Sequence, residues 1–251
     1  MTNADDPALR VLQLELLRPE QIEAALSRRS LVYLPLGTIE WHSHHLPVGL
    51  DSLTAHGLCV RAAARTGGLV HPVLHHGTGG GHGGYPWTVM MPDGTEITAL
   101  LNRTLSRLRD FGVARVVLLT GHFADEQQAM VDQLATEWVG QGIEVVATSV
   151  NRSGIDMPPD HAGAFETLLL HAMHPDLVRM DALGDEPDHP DRHDPRHPIW
   201  GVVGADPRGV DLGRSSDLLE AMVSWMAEVA AGTDRPGAGD QSIYSQTLGS
   251  R

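Results

Sequence analysis

The chain has 251 residues, 41% of them hydrophobic, which is room for one large α/β domain with a sizeable core. A formal charge of −14 excludes the basic face that nucleic acid or an anionic membrane surface requires. A single cysteine, Cys59, excludes an internal disulfide and a thiolate-rich zinc site.

The opening MTNADDPALR lacks the basic-then-apolar pattern of a signal peptide, and no stretch approaches the ~18 apolar residues of a membrane span. A cytoplasmic protein is expected. Residues 12–17 read as a short lead-in and RPEQIEAALSRRS as a helix. LVYLPLG (31–37) is an apolar run ending in Gly, the mark of a buried strand feeding a loop. Residues 53–68 have helical periodicity, 68–77 suggest a second strand, and a glycine-rich stretch TGGGHGGYP follows. The clearest amphipathic helix is 95–112, capped by Thr95 and closed by Gly112, and the clearest buried strand is 113–121. DEQQAMVDQLATEWVGQG reads as a helix, 143–150 as a strand, AFETLLLHAMHPDLV as helical, and 210–232 as a last long helix.

Strands alternating with helices predict a three-layer α/β/α sandwich around a mostly parallel sheet. We expect one domain over residues 1–231 and a flexible tail over 232–251. GDEPDHPDRHDPRHP (184–198) reads as a solvated loop, with His197 and Trp200 at its end placed to close over a neighbouring site.

The first strand runs into PLGTIEWHSHHLPVGLD, which supplies Glu40, His42, His44, His45 and Asp51 within a dozen positions. Glu40 and His42 are two apart, so an extended chain points them to the same side. His122 directly follows VVLLTG, at the matching end of another strand, and Glu166 falls near the first turn after strand 143–150 and its loop. In parallel α/β sheets ligands bind beyond the carboxyl ends of the strands. Mixed carboxylate and imidazole donors suit zinc, manganese or iron(II). A single catalytic ion needs about three protein ligands, whereas two ions ~3.5–4 Å apart, bridged by a carboxylate, would use five of these residues. Composition and spacing alone leave open whether these residues bind metal or are ordinary surface and core side chains.

PLGTIEWHSHHLPVGLD resembles the signature of the creatininase family, in which a strand leads into G-[ST]-x-E-x-H-x-x-H-L-P-x-x-x-D. TGH (120–122) is similar to the family's N-G-H motif and DHAGAFET to its H-A-G-x-x-E-T motif, and GGHGGYPWTVMMPDGTEITALL (80–101) and GVVGADPR (201–208) also have counterparts. The likeness covers about residues 31–231. It implies two divalent metal ions, zinc first and manganese or iron as alternatives, on Glu40, His42, Asp51, His122 and Glu166. Asp51 would bridge them, with Glu40 and His122 on one ion and His42 and Glu166 on the other. It further implies catalytic roles for His161 and Glu166, with His161 protonating the leaving nitrogen. His82, Tyr85 and Phe123 would face a small-molecule substrate, and His45 would stand behind the ligands to orient one of them or hold the turn. The expected activity is hydrolysis of a C–N amide bond by a metal-bridging hydroxide, in a homo-oligomer such as the family's hexamers.

The sequence also departs from the family. Creatininase carries a ligand Glu two residues after the strand-end His, where this chain has Ala124; Glu166 is therefore expected as the fifth ligand, with Asp125 and Glu126 as substitutes. TGHFAD replaces N-G-H-G-G-N, and no Trp occurs between Trp138 and Trp200, which argues against creatinine as substrate. Three rival readings remain: cleavage of a C–C or C–O bond in a cyclic sugar-like substrate, trimming of a modified peptide, and a non-catalytic metal-binding relic.

Overall fold

Strand β1 (Leu31–Leu36) is buried along its whole length, as a strand with sheet neighbours on both edges and helices on both faces must be. The computed structural model describes residues 7–10, 12–185 and 194–232. Within them β1 pairs in parallel with β2 (Leu69–Val70) and β5 (Arg115–Thr120), and β5 pairs in parallel with β6 (Glu144–Ser149), giving the order β2-β1-β5-β6. A separate parallel pair joins β3 (Gly77–Thr78) to β4 (Met90–Met91).

The two-residue period of the strands divides the core. Leu31 and Tyr33 of β1, with Val117 and Leu119 of β5, pack against α3 (Leu50–Thr66), α6 (Ala164–Met173) and α7 (Ser215–Ala231). Val32, Leu34, Leu36, Val116 and Leu118 face the other way, toward α4 (Thr95–Asp110) and α5 (Asp125–Glu137). Leu9 of the short α1 (Pro7–Arg10) joins the first layer and Leu26 of α2 (Pro19–Arg28) the second. The result is the three-layer α/β arrangement with a parallel central sheet that the sequence predicts. Each fully buried leucine in it contributes about 1.5–3 kcal/mol of apolar burial. Among the described residues no helix is long and apolar enough to cross a membrane.

Four expectations need correction. The strand expected over 68–77 is two residues long. Past His71, whose N–H donates to Tyr33 O at 2.8 Å, the pairing slips by one residue: the Leu74 N–H reaches Pro35 O at 3.1 Å, and only the isolated bridge Leu36↔Leu74 follows before β3. Pro35 is tolerated within β1 because β2 ends at Val70, so the ladder beside it has already lapsed. Helix α3 starts at Leu50 rather than 53, which puts Asp51 in its first turn instead of ahead of the helix. Thr95 opens α4 but does not cap it: Gly94 holds the cap position, and Asp93 Oδ1 accepts the Thr95 N–H at 2.8 Å. The helix expected over 164–178 stops at Met173 and resumes as a single 3-10 turn, because Pro175 cannot donate to an α-helix. The proposed tail lies, after Gly232, outside the described residues, as do residues 186–193 of the polar loop.

Strands β1, β5 and β6 are parallel, so their carboxyl ends open on one edge of the sheet. Two glycines let α3 settle on that edge. A Cβ on Gly37 would lie 2.6 Å from the Cα of Ser52, and one on Gly121 would lie 2.8 Å from the carbonyl carbon of Asp51. Bare backbone at both strand ends thus brings the first turn of α3 against β1 and β5.

Candidate metal centre

Glu40 and His42 leave the end of β1 in an irregular segment held by Glu40 N–H donating to Val48 O at 2.8 Å and by the bridge Ile39↔Val89. Asp51 rises from α3, His122 follows β5, and Glu166 lies in the first turn of α6. All five side chains are buried, between 0% and 4% exposed. His42 Nε2 is 3.2 Å from Asp51 Oδ1 and 3.6 Å from Glu166 Oε2, while His122 Nδ1 is 2.9 Å from Glu40 Oε2 and 3.4 Å from Asp51 Oδ2.

The donor set fits divalent cations. Among the described residues three groups have donor atoms within 4.8 Å of one another: Glu40–Asp51–His122, His42–Asp51–Glu166 and Glu40–His42–His161. His42 Nδ1 donates to the Glu40 carbonyl at 3.0 Å, so in the neutral ring Nε2 carries a lone pair aimed at two carboxylates. His42 Nε2, Asp51 Oδ2 and Glu40 Oε2 are all buried without a hydrogen-bond partner. Atoms that converge within ion-pair distance without hydrogen bonding are aimed at a shared point rather than at each other. Three buried carboxylates without a cation are costly, and the titration shifts express the conflict. Burial pushes Glu166 well above the ordinary carboxyl range. Burial works the same way on Glu40 and Asp51, but the imidazoles His122 and His42 respectively win and hold both carboxyls below their usual values. Burial lowers His42, yet Asp51 and Glu166 beside it raise its pKa to about 10.

His161 is 3% exposed; its Nε2 donates to Trp41 O at 2.8 Å, and its Nδ1 lies 3.9 Å from Glu40 Oε1. Burial drives its pKa well below the ordinary imidazole value. His45 Nε2 pairs with Thr167 Oγ1 at 2.9 Å, next to Glu166 in α6, and burial drops its pKa to about 3. His82 hydrogen-bonds through Nδ1 to Glu40 Oε1, and its ring centroid is 4.2 Å from that of His161 and 5.4 Å from that of Tyr85. Tyr85 and Trp41 each lie against Trp200, at 5.0 and 5.2 Å between centroids, and Trp41 Nε1 donates to Trp200 O at 3.1 Å. Trp200 therefore borders this chain's own cluster.

Phe123, expected to face substrate, is 4% exposed, and its ring packs in the apolar layer beneath α3, α6 and α7. Asp125 and Glu126 stay out of the metal-capable groups, and Glu126 Oε2 instead accepts the Gly80 N–H at 3.2 Å. His44 is exposed, with its ring edge-on to Trp41 at 5.0 Å.

Three supporting residues escape sequence reasoning. Asp160, 3% exposed, accepts the amides of Phe165 at 2.9 Å and Glu166 at 3.3 Å, fixing the turn that carries His161 and Glu166; burial raises its pKa to about 6. Gln127 is fully buried, accepts the Thr78 N–H at 2.9 Å and donates to Thr120 Oγ1 at 3.0 Å, tying β3 to the end of β5. Trp41 accepts from His161 as described. Asp160 stands three residues before the Gly163 cap of α6, outside the position a capping signal marks, and a Gln on an inward helix face carries no signal either.

Comparison with known proteins agrees with this geometry. The Creatininase family profile, described as Creatinine amidohydrolase, matches residues 15–230. Creatinine amidohydrolase of Pseudomonas putida is 29% identical over 181 residues, 62% of this chain and 69% of its own. A mycofactocin precursor peptide peptidase of Mycolicibacterium smegmatis is 28% identical over 61% of this chain and 62% of its own length. The 3-dehydro-scyllo-inosose hydrolase of Thermotoga maritima is 24% identical over 85% and 68%. Among solved structures, a creatinine amidohydrolase superimposes with a TM-score of 0.74 at 27% identity, covering 88% of this chain and 97% of its own. A Zn–Zn form of a variant creatininase and a Mn form match with TM-scores of 0.71 and 0.72 at 26% and 27% identity, each covering 86% of this chain and 96% of its own. Matched over most of its length in sequence and in fold, the chain belongs to the creatininase family of hydrolases.

Proposed function

We propose that the chain hydrolyses a C–N amide bond in a small molecule, a cyclic amide, a formamide or a similar metabolite, with two divalent ions held by Glu40, His42, Asp51, His122 and Glu166. The observation that carries this reading is the membership of Asp51 in both the Glu40–His122 group and the His42–Glu166 group. Asp51 would then be the ligand common to two ions, with Glu40 and His122 holding one and His42 and Glu166 the other. Zinc leads and manganese follows on the chemistry of the donors, in keeping with the Zn–Zn and Mn forms of related creatininases. When bound, such a pair supplies Lewis acidity, polarising the substrate carbonyl and acidifying water.

The protein's own groups handle the proton. The Trp41 carbonyl can only accept, so His161 Nε2 carries a hydrogen and Nδ1 is left as the base, on the side of Glu40. Burial keeps that ring neutral at the start of the cycle. As water adds to the carbonyl carbon, His161 Nδ1 takes its proton. As the C–N bond breaks, the same proton passes to the departing nitrogen. Glu166 Oε2 accepts the Ala162 N–H at 2.6 Å, so the ligand and the turn behind His161 are held as one unit. Tyr85, Trp41 and Trp200 offer flat faces suited to a planar amide. Cleavage within a cyclic sugar-like substrate is the second reading, favoured by the breadth of the match to the Thermotoga hydrolase.

The test is metal content of protein purified without chelator or His-tag. About two ions per chain, absent from Asp51→Ala together with all turnover of an amide and lactam panel, is the expected result. Less than about half an ion per chain, not restored by added zinc or manganese, would overturn the reading.

A further inference from the structure

Three successive glycines in left-handed conformation, Gly79 (φ 84°), Gly80 (φ 80°) and Gly81 (φ 69°), carry the chain past the edge of the cluster. The path is tight as well as strained for any side chain. A Cβ on Gly79 would collide with the Glu126 carboxylate, and one on Gly80 would lie 3.3 Å from His122 Cε1 and 3.4 Å from Ala124 Cβ. The loop therefore packs directly over Ala124, in room that a larger side chain at that position would need. It is fastened at two points. Glu126 Oε2 accepts the Gly80 N–H at 3.2 Å, and two residues on, His82 Nδ1 donates to Glu40 Oε1. The other oxygen of that carboxylate, Oε2, is the one 2.9 Å from His122 Nδ1.

We propose that Glu126 and His82 form a clasp that sets the rotamer of Glu40: Glu126 anchors the glycine loop, and His82 holds Oε1 so that Oε2 is presented to the Asp51–His122 group. Both are positioning residues acting through Glu40, and the proposal rests on the reading of Glu40 as a metal ligand. A carboxylate fastened through one oxygen cannot swing its second oxygen out of the group. Hydrogen-bond partners of this kind behind a metal ligand typically account for about 10–100-fold in metal affinity.

The experiment measures zinc affinity by competition with a chromophoric chelator in the wild type, His82→Ala, His82→Asn, Glu126→Ala, Glu126→Gln and the double alanine variant. Expected is a loss of about tenfold or more in His82→Ala and a smaller loss in Glu126→Ala. Substantial recovery is expected in His82→Asn and Glu126→Gln, which keep a donor and an acceptor respectively. Because Glu126 acts through His82, the double variant is expected to be no weaker than His82→Ala alone. Unchanged affinity in His82→Ala, or losses that multiply in the double variant, would overturn the clasp. Amide hydrogen exchange of the 79–85 segment in chelator-treated protein tests the anchor without metal: faster exchange in Glu126→Ala but not in Glu126→Gln supports it, and no change overturns it. A wild type that takes up no metal overturns the reading of the site, and the exchange result alone then decides the clasp.

Discussion

Gly121→Ala is a sharp test of how the sheet builds the cluster. Gly121 is not among the glycines in left-handed conformation, so alanine is acceptable to the backbone there and any effect comes from space alone. The added methyl would lie 2.8 Å from the carbonyl carbon of Asp51, 3.0 Å from its Cα and closer still to its carbonyl oxygen. Every one of those atoms is backbone, so no rotamer change relieves the contact, and the start of α3 must retreat by about 1 Å to reach normal packing distance. Forced overpacking of this kind costs about 1–3 kcal/mol, and a ~1 Å misplacement of a reacting constellation about 10²-fold in turnover. Urea unfolding reads the first effect and turnover the second, with chelator competition reading the hold on zinc beside them. Gly49→Ala is the control at the same helix end: its Cβ meets nothing, its φ is −96°, and only the cap preference changes, worth under about 1 kcal/mol. A Gly121→Ala protein with the wild-type urea midpoint and zinc affinity within twofold would refute the claim that bare backbone at the strand end places Asp51.

Acid stability should carry the signature of His45. Its folded pKa of about 3 lies below the ordinary 6.5, so the unfolded chain binds the extra proton between those values and stability falls as pH drops below 6.5. At pH 5 the loss is about 2 kcal/mol by linkage, and His45→Gln, which retains a donor toward Thr167, should flatten the pH dependence of the urea midpoint between pH 6.5 and 4; an unchanged slope would show that His45 is protonated in the fold. Gln127→Leu strips the Thr78 amide and Thr120 hydroxyl of a buried partner and should destabilise by about 1–3 kcal/mol in urea unfolding; a neutral substitution would mean the pair finds other partners. Trp138→Phe deletes the 2.7 Å hydrogen bond to Asn102 on the far face of the sheet, and should cost about 1 kcal/mol in stability while leaving zinc affinity unchanged.

Much of the site was legible because it is local in sequence. PLGTIEWHSHHLPVGLD places three ligand candidates beyond a strand whose burial is written in its unbroken apolar run, and β1 and β5 appear within two residues of where periodicity puts them. The three-layer class follows from the alternation of such runs with amphipathic helices. Directions were less legible. Phe123 and His122 are adjacent in sequence, yet one ring enters the core and the other the cluster, because the turn after β5 sets alternate side chains on opposite faces. The choice among Asp125, Glu126 and Glu166 depended on where α6 docks, some forty residues along the chain from α5.

What the sequence alone determined is therefore the alphabet of the protein: a parallel sheet with helices on both faces, a carboxylate–imidazole donor set, and their association with strand ends. Periodicity, a local property, suffices for the sheet and its helices; the donor set is also local, but it was the resemblance of its motifs to the creatininase family that singled it out, since composition and spacing alone left it open. Tertiary structure decided that α3 begins early enough to carry Asp51, that Asp51 is shared between two donor groups, and that His82 reaches back to Glu40. Those facts depend on close approaches at Gly37, Gly80 and Gly121 between segments far apart in sequence. Distances of a few ångströms across such separations are fixed by packing, which no local pattern encodes.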